Sequence, residues 1–343
     1  MTHRKGRNWA GTAIAGAVLA AVTLLSAQGC APAAPAEAAT QASHSVSLGA
    51  ARNVYETYVK ASDAAAVQGN EANALSVVTS AQWAQVKSQY TALASQGTAV
   101  PRYTYGTPVF YVPALSGFPQ WFAVAVPRHT VSGGQPGPAA STLMLFDRRK
   151  PTVDWTLSGT AVLSQALPKI ALDGGYATAV STLDQSLLLR PDVAGATQAA
   201  VVDDGPSSAA AAVVAAGPQT TGLYAAQAAL GAAQQRKGLQ YQWLLQGSPF
   251  PQVGLRLADG GALVFYGLYL NTTNEHPDLA SGSPIPVPAA VAPILTTPSQ
   301  VGYHAVFANW AYQFAAIDPV ATAPHAKLQI IGSQDGPSYG HAY

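Results

Sequence analysis

The chain has 343 residues, 49% of them hydrophobic and only 10% charged, with a formal net charge of +1. So even a balance excludes nucleic acid or an anionic surface as the main partner, because no excess of Lys and Arg is present to displace counterions from phosphates. A single cysteine, Cys30, excludes disulfides within the chain and cysteine zinc clusters, so the fold must stand on packing.

In chain order, the first eight residues carry Arg4, Lys5 and Arg7 with no acid, and residues 9–26 are apolar and rich in small side chains. That is the layout of a secretory signal, diluted by Gly and Thr too far to make a stable membrane span. The run ends at Ser26-Ala27-Gln28-Gly29-Cys30. This stretch resembles the lipobox of bacterial lipoproteins. The resemblance implies diacylglycerol on the Cys30 thiol, cleavage before it, and a protein anchored on the outer face of the bacterial cytoplasmic membrane, which would be its first partner. Residues 30–49 are rich in Ala and Pro and poor in large apolar side chains, which reads as a tether. Loss of residues 1–29 removes three of the seventeen basic residues and leaves a slight acidic excess over two domains' worth of chain.

From Ala51, Val54, Tyr55, Tyr58, Ala61 and Ala65 recur at helical spacing. Thr79 and Gln82 have the spacing of a capping box, and Trp83, Val86, Tyr90 and Leu93 continue a second helix as far as Gly97. Aromatic and β-branched runs at 103–112, 120–126, 142–147 and 152–157 predict antiparallel strands. The phase of Tyr176, Val180, Leu183 and Leu187 predicts a helix over 176–188, ended by Arg190-Pro191. Helices are expected again at 207–216 and 222–235. Alternation then marks strands through Leu239, Tyr241, Trp243 and Leu245, and a hairpin that turns at Asp259-Gly260-Gly261. Further strands are expected at 309–316 and 327–331.

Helices followed by antiparallel strands, given twice, is an α+β pattern. It resembles a tandem of NTF2-like or cystatin-like domains, each with helices packed on a curved antiparallel sheet, at residues 50–191 and 192–343. The same order of features, with the Ala-Asp-Gly-Gly-Ala-Leu-Val-Phe-Tyr hairpin at 258–266, resembles a family of uncharacterised lipoproteins from high-GC Gram-positive bacteria. That resemblance brings no catalytic residue.

Chemical motifs are scarce. No two histidines lie four apart for a helical zinc site, neither Leu115-Ser116-Gly117 nor Leu157-Ser158-Gly159 makes a nucleophile elbow, and no phosphate loop or Gly-x-Gly-x-x-Gly occurs. No catalytic, metal or cofactor site is therefore assigned. His129 with Asp154 is the one distant pair that folding could join, as a cell-envelope hydrolase of glycan or peptide would need. Asp203-Asp204 reads as a solvated loop or cap, and Asn271-Thr272-Thr273 as the end of a strand. Asp173-Gly174-Gly175 and Asp335-Gly336 read as turns. Aromatics carry the functional interest: Tyr103, Tyr111 and Trp121 in the first half, Tyr241, Trp243 and Tyr266 in the second. Tyr and Trp fill cores, and they also line pockets for small molecules and sugars. The expectation is a non-catalytic lipoprotein that binds a small molecule, a glycan or an envelope protein.

Overall fold

A computed structural model describes residues 46–132, 134–277, 283–295 and 301–343. The signal, the lipobox with Cys30 and nearly all of the tether lie outside the described residues.

The first half opens with helices α1 (Leu48–Gln68), α2 (Glu71–Ser76) and α3 (Ser80–Gln96). The strands that follow are β1 (Arg102–Tyr105), β2 (Val109–Tyr111), β3 (Gln120–Ser132), β4 (Gln135–Arg148), β5 (Thr156–Leu163), β6 (Leu172–Asp173), β7 (Tyr176–Ala177) and β8 (Ala179–Val180). In the second half, α4 (Pro191–Asp204) and α5 (Thr221–Gln235) precede β9 (Gln240–Gly247), β10 (Val253–Arg256), β11 (Ala262–Glu275), β12 (Ile285–Pro286), β13 (Val301–Gly302), β14 (Ala305–Asp318) and β15 (Gln329–Ala342). The chain is thus α+β, with helices before strands in each half.

Local chemistry sets several boundaries. The Ser47 hydroxyl accepts from the Ala50 N–H at 3.1 Å and starts α1, and Gly69 ends that helix at a φ of 62° that side chains resist. Thr79 precedes α3 as expected, but its side chain makes no cap bond. Gln82 instead turns inward, where its Oε1 accepts from Thr160 Oγ1 at 3.0 Å. Pro191, expected to stop a helix, begins one: at the first helical position its missing N–H costs nothing. The helix expected at 176–188 is absent. Tyr176 pairs with Asp173 across Gly174 and Gly175, both at positive φ, and this hairpin overrides the helical phase. The expected helix at 207–216 is only a 3-10 turn at Ala209–Ala212.

Eleven strands form one antiparallel sheet, in the order β1-β3-β4-β5-β15-β14-β11-β10-β8, with β2 also on β3 and β9 also on β11. The halves join where Leu163 and Val162 of β5 pair with Gly332 and Ser333 of β15. Period-2 alternation then sorts the side chains. In the first half Phe122, Val124, Met144, Phe146 and Leu157 pack under Tyr55 of α1. In the second, Val264, Tyr266, Leu268, Leu270 and Phe314 pack under α4 and α5. The opposite faces meet each other: Trp121, Ala123, Leu143, Leu145 and Ala161 share a core with Leu255, Leu263, Phe265, Ala315 and Ile331. Both faces of the central strands are therefore covered, which is why Trp121–Val126 and Leu143–Phe146 read as unbroken apolar runs. Gly159 is needed at this contact, since a Cβ there would lie 2.6 Å from the Phe265 ring.

Two further expectations change. Asn271-Thr272-Thr273 lies inside β11 rather than at its end, and Asn309 Nδ2 donates to Asn271 Oδ1 at 2.6 Å from the neighbouring strand. Asp335-Gly336 is not a turn but part of β15, where Gly336 lies against Gln85 of α3.

Candidate functional site

The second half leaves a cavity of about 570 Å³ between α5 and the sheet. Gln227, Leu230 and Gln234, spaced three and four apart, present one face of α5 to it. The sheet supplies Tyr241 from β9, Leu270, Thr272 and Asn274 from β11, and Val306, Ala308, Trp310 and Tyr312 from β14. Register explains the grouping: Asn274 is opposite both Tyr241 and Val306, Thr272 opposite Ala308, and Leu270 opposite Trp310. Residues of one parity on paired strands share one face. Asp335 of β15, the cross-strand neighbour of Tyr312, completes the floor, and Pro286, Val287 and Pro288 form the rim.

Among the described residues, Asp335 is the one charged side chain in this wall. Solvent reaches it, yet the surrounding protein pushes its carboxyl above the usual carboxylate range by desolvation. Both facts suit a carboxylate at the bottom of an open cavity. Burial pushes the Tyr241 phenol up to about 12, and it donates to Gln227 Oε1 at 2.6 Å. Tyr312 is pushed up by burial and further by the Asp335 charge, so both phenols stay protonated, that of Tyr241 already engaged with Gln227. Asn274, nearly buried, keeps an Oδ1 with no partner, as does Gln234 with its Oε1.

The corresponding space in the first half is a narrow cavity of about 60 Å³, bordered by Tyr58, Gln82, Tyr90, Tyr103, Tyr105 and Arg128. It is crossed by hydrogen bonds that tie the halves together. Arg128 donates to Gln334 Oε1 at 3.1 Å, Gln334 to Gln85 Oε1 at 2.9 Å, and Gln85 to the Ala311 carbonyl at 3.3 Å. The Arg128 guanidinium also sits 4.5 Å over the Tyr103 ring. This space suits a few waters and a structural role.

The six aromatics singled out in the sequence do not gather at one site, although the Tyr241 and Trp243 rings lie 6.1 Å apart. Tyr241 borders the large cavity and Tyr103 the narrow one. Tyr111 and Trp121 pack in the core between the halves of the sheet. Trp243 donates its indole N–H to the Val202 carbonyl at 3.1 Å, and the buried Tyr266 donates to Gln198 Oε1 at 2.6 Å. Sequence reasoning missed Trp310, Tyr312 and Asp335. The alternation Trp310-x-Tyr312-x-Phe314 was a usable signal for the first two, whereas Asp335 beside Gly336 and Pro337 gave none.

His129 and Asp154 are not brought together. His129 pairs with Ala139 near the tip of the β3–β4 hairpin and donates from Nδ1 to the Gly137 carbonyl at 2.9 Å. Asp154 follows the far end of the same hairpin, where Gln120 pairs with Arg148, on the order of 25 Å away along the strands. Asp203 is structural, its Oδ1 accepting from the Leu245 N–H at 2.8 Å to tie α4 to β9. Among the described residues no three His, Cys, Asp or Glu converge as metal ligands, and no helix is long and apolar enough to cross a membrane.

A protein of Streptomyces avermitilis named an uncharacterized lipoprotein is 29% identical to this chain over 162 residues, which is 46% of this chain and 44% of that protein. The match thus spans less than half the length of that relative. No solved structure matches. The family model described as Domain of unknown function (DUF8094) matches residues 42–336. The chain belongs to the DUF8094 family.

Proposed function

We propose that this protein is an envelope lipoprotein held by acyl chains on Cys30 at the outer face of the cytoplasmic membrane, and that its second half binds a small ligand without chemistry on it. The observation that carries the binding reading is the cavity of about 570 Å³ under α5, a volume in the range of small-molecule sites, with aromatic and apolar walls and a few polar groups. The anchor reading is supported by the stretch ending in Cys30 and by the name of the Streptomyces relative. Each half, with helices preceding a curling antiparallel sheet, is read as an NTF2-like unit.

Two experiments test these readings. Intact mass and membrane partitioning should give residues 30–343 plus acyl chains for the native chain, and a released or uncleaved product for Cys30→Ala. A soluble product cut elsewhere sinks the anchor. For the cavity, a panel of sugars, peptides, amines and organic acids should contain a compound that raises the melting temperature of the native protein and not of Trp310→Ala. If no compound does so, the protein reads as a structural spacer.

A further inference from the structure

We infer that the cavity under α5 selects an organic cation, a small molecule bearing an ammonium group, held between aromatic rings and the Asp335 carboxylate. This rests on the reading of that cavity as a ligand site.

The first argument is the place of Asp335 in the cavity. Asp335 is the one charged side chain in the wall, and among the described residues that side chain has neither an ion pair nor a hydrogen bond. A carboxylate that solvent reaches and that has no counter-charge of its own is open to pair with a cation entering the cavity.

The second argument is the wall. Tyr241, Trp310 and Tyr312 border the same space, and the negative faces of aromatic rings attract cations, most strongly where water is thinned out. Tyr312 stands directly across from Asp335 in the sheet, so ring and carboxylate are neighbours. Charge excludes the alternatives. No Lys, Arg or His lines the cavity to receive an anion, and a carboxylate ligand would be repelled by Asp335. A bare metal ion would need several converging ligands, and no such cluster exists among the described residues. The buried oxygens of Asn274 and Gln234 add acceptors, which match an N–H donor on the ligand.

The test uses the full chain and titration calorimetry with choline, tetramethylammonium and cadaverine, beside 3,3-dimethylbutanol as the neutral carbon analogue of choline, and N-acetylglucosamine and acetate. At least one cation should bind, at least tenfold more tightly than the neutral analogue where choline is that cation. Asp335→Asn, which keeps the shape and removes the charge, should weaken the cation at least tenfold with an unchanged melting temperature. Equal binding of choline and its neutral analogue, or unaltered cation binding by Asp335→Asn, overturns the inference and leaves the cavity reading standing. Binding of the sugar or acetate alone, lost on Ala308→Phe, does the same. If no probe of any class binds, both fall.

Discussion

Both halves place helices before strands, and they differ in how the covering helix meets the sheet. In the first, α1 lays aromatic side chains on the sheet: the Tyr55 and Tyr58 rings stand edge-on to Phe146 at 6.2 and 5.5 Å, and Phe122 stacks on Phe146 at 5.0 Å. Beneath these rings the sheet is packed, and the larger space, about 440 Å³, opens only at the edge between α1 and β1. In the second, α5 reads Thr-Gly-Leu-Tyr-Ala-Ala-Gln-Ala-Ala-Leu-Gly-Ala-Ala-Gln-Gln, and Leu223 is its one buried residue. Alanine makes a stable helix with little volume to fill a hollow, so a cavity remains beneath α5. Side-chain volume on the covering helix, rather than topology, decides whether such a half becomes a core or a site.

That contrast can be broken most directly by truncation. Phe146→Ala, fully buried, should cost about 3–5 kcal/mol of stability, whereas Trp310→Ala, half-buried on a cavity wall, should cost about half of that or less. Urea denaturation of both variants decides it, and equal losses would mean that the second concavity is as filled as the first.

A second comparison concerns buried acids. Asp147 of the first half has Arg149 nearby, but Asp318 at the end of β14 is fully buried with only the Leu189 N–H at 3.3 Å, and its Oδ2 has no partner. Desolvation pushes its carboxyl from 3.8 to about 7. The folded state then holds a proton that the unfolded chain releases, so stability falls as pH rises from about 4 to about 7 and stays reduced above that, by about 4 kcal/mol at most. The urea midpoint should be higher at pH 5 than at pH 8, and the difference should shrink in Asp318→Asn. A midpoint that climbs between those pH values in native protein and variant alike would contradict this.

The contact between the halves is sharpened by Gly159→Ala. Its Cβ would meet the Phe265 ring and Gln313 Oε1, so about 1–3 kcal/mol should be lost, and a thermal melt should show a lowered midpoint. A neutral result would mean that the two faces of the sheet are not in close contact there. The smallest effect is expected at the exposed Asp63–Arg102 pair, where Asp63→Asn should cost about 1 kcal/mol or less and still less at high salt.

Much of the fold was legible. The helical spacing of Val54, Tyr55 and Tyr58 and the Asp259-Gly260-Gly261 turn were local signals, and α1 and the β10–β11 hairpin stand where they predict. The helix expected at 176–188 failed because phase alone cannot outweigh two glycines able to turn the chain. The long β3–β4 hairpin was underestimated because Pro127, Pro136 and Pro138 read as breaks, while a hairpin tip tolerates prolines that a central strand would not. Less of the site could be read. Of its aromatics only Tyr241 was singled out, and Asp335 was taken for part of a turn.

By itself the sequence determined the α+β class, the helices that open the chain and the alternation of faces along its longer strands, since these follow from spacings of a few residues. Only the tertiary structure decided that both halves share one sheet, that their inner faces pack on each other, and that Asp335 meets Tyr312 beneath a small-residue helix. Those outcomes depend on strand register and on volumes contributed by segments distant in the chain, and no local pattern encodes a pairing between residues so far apart.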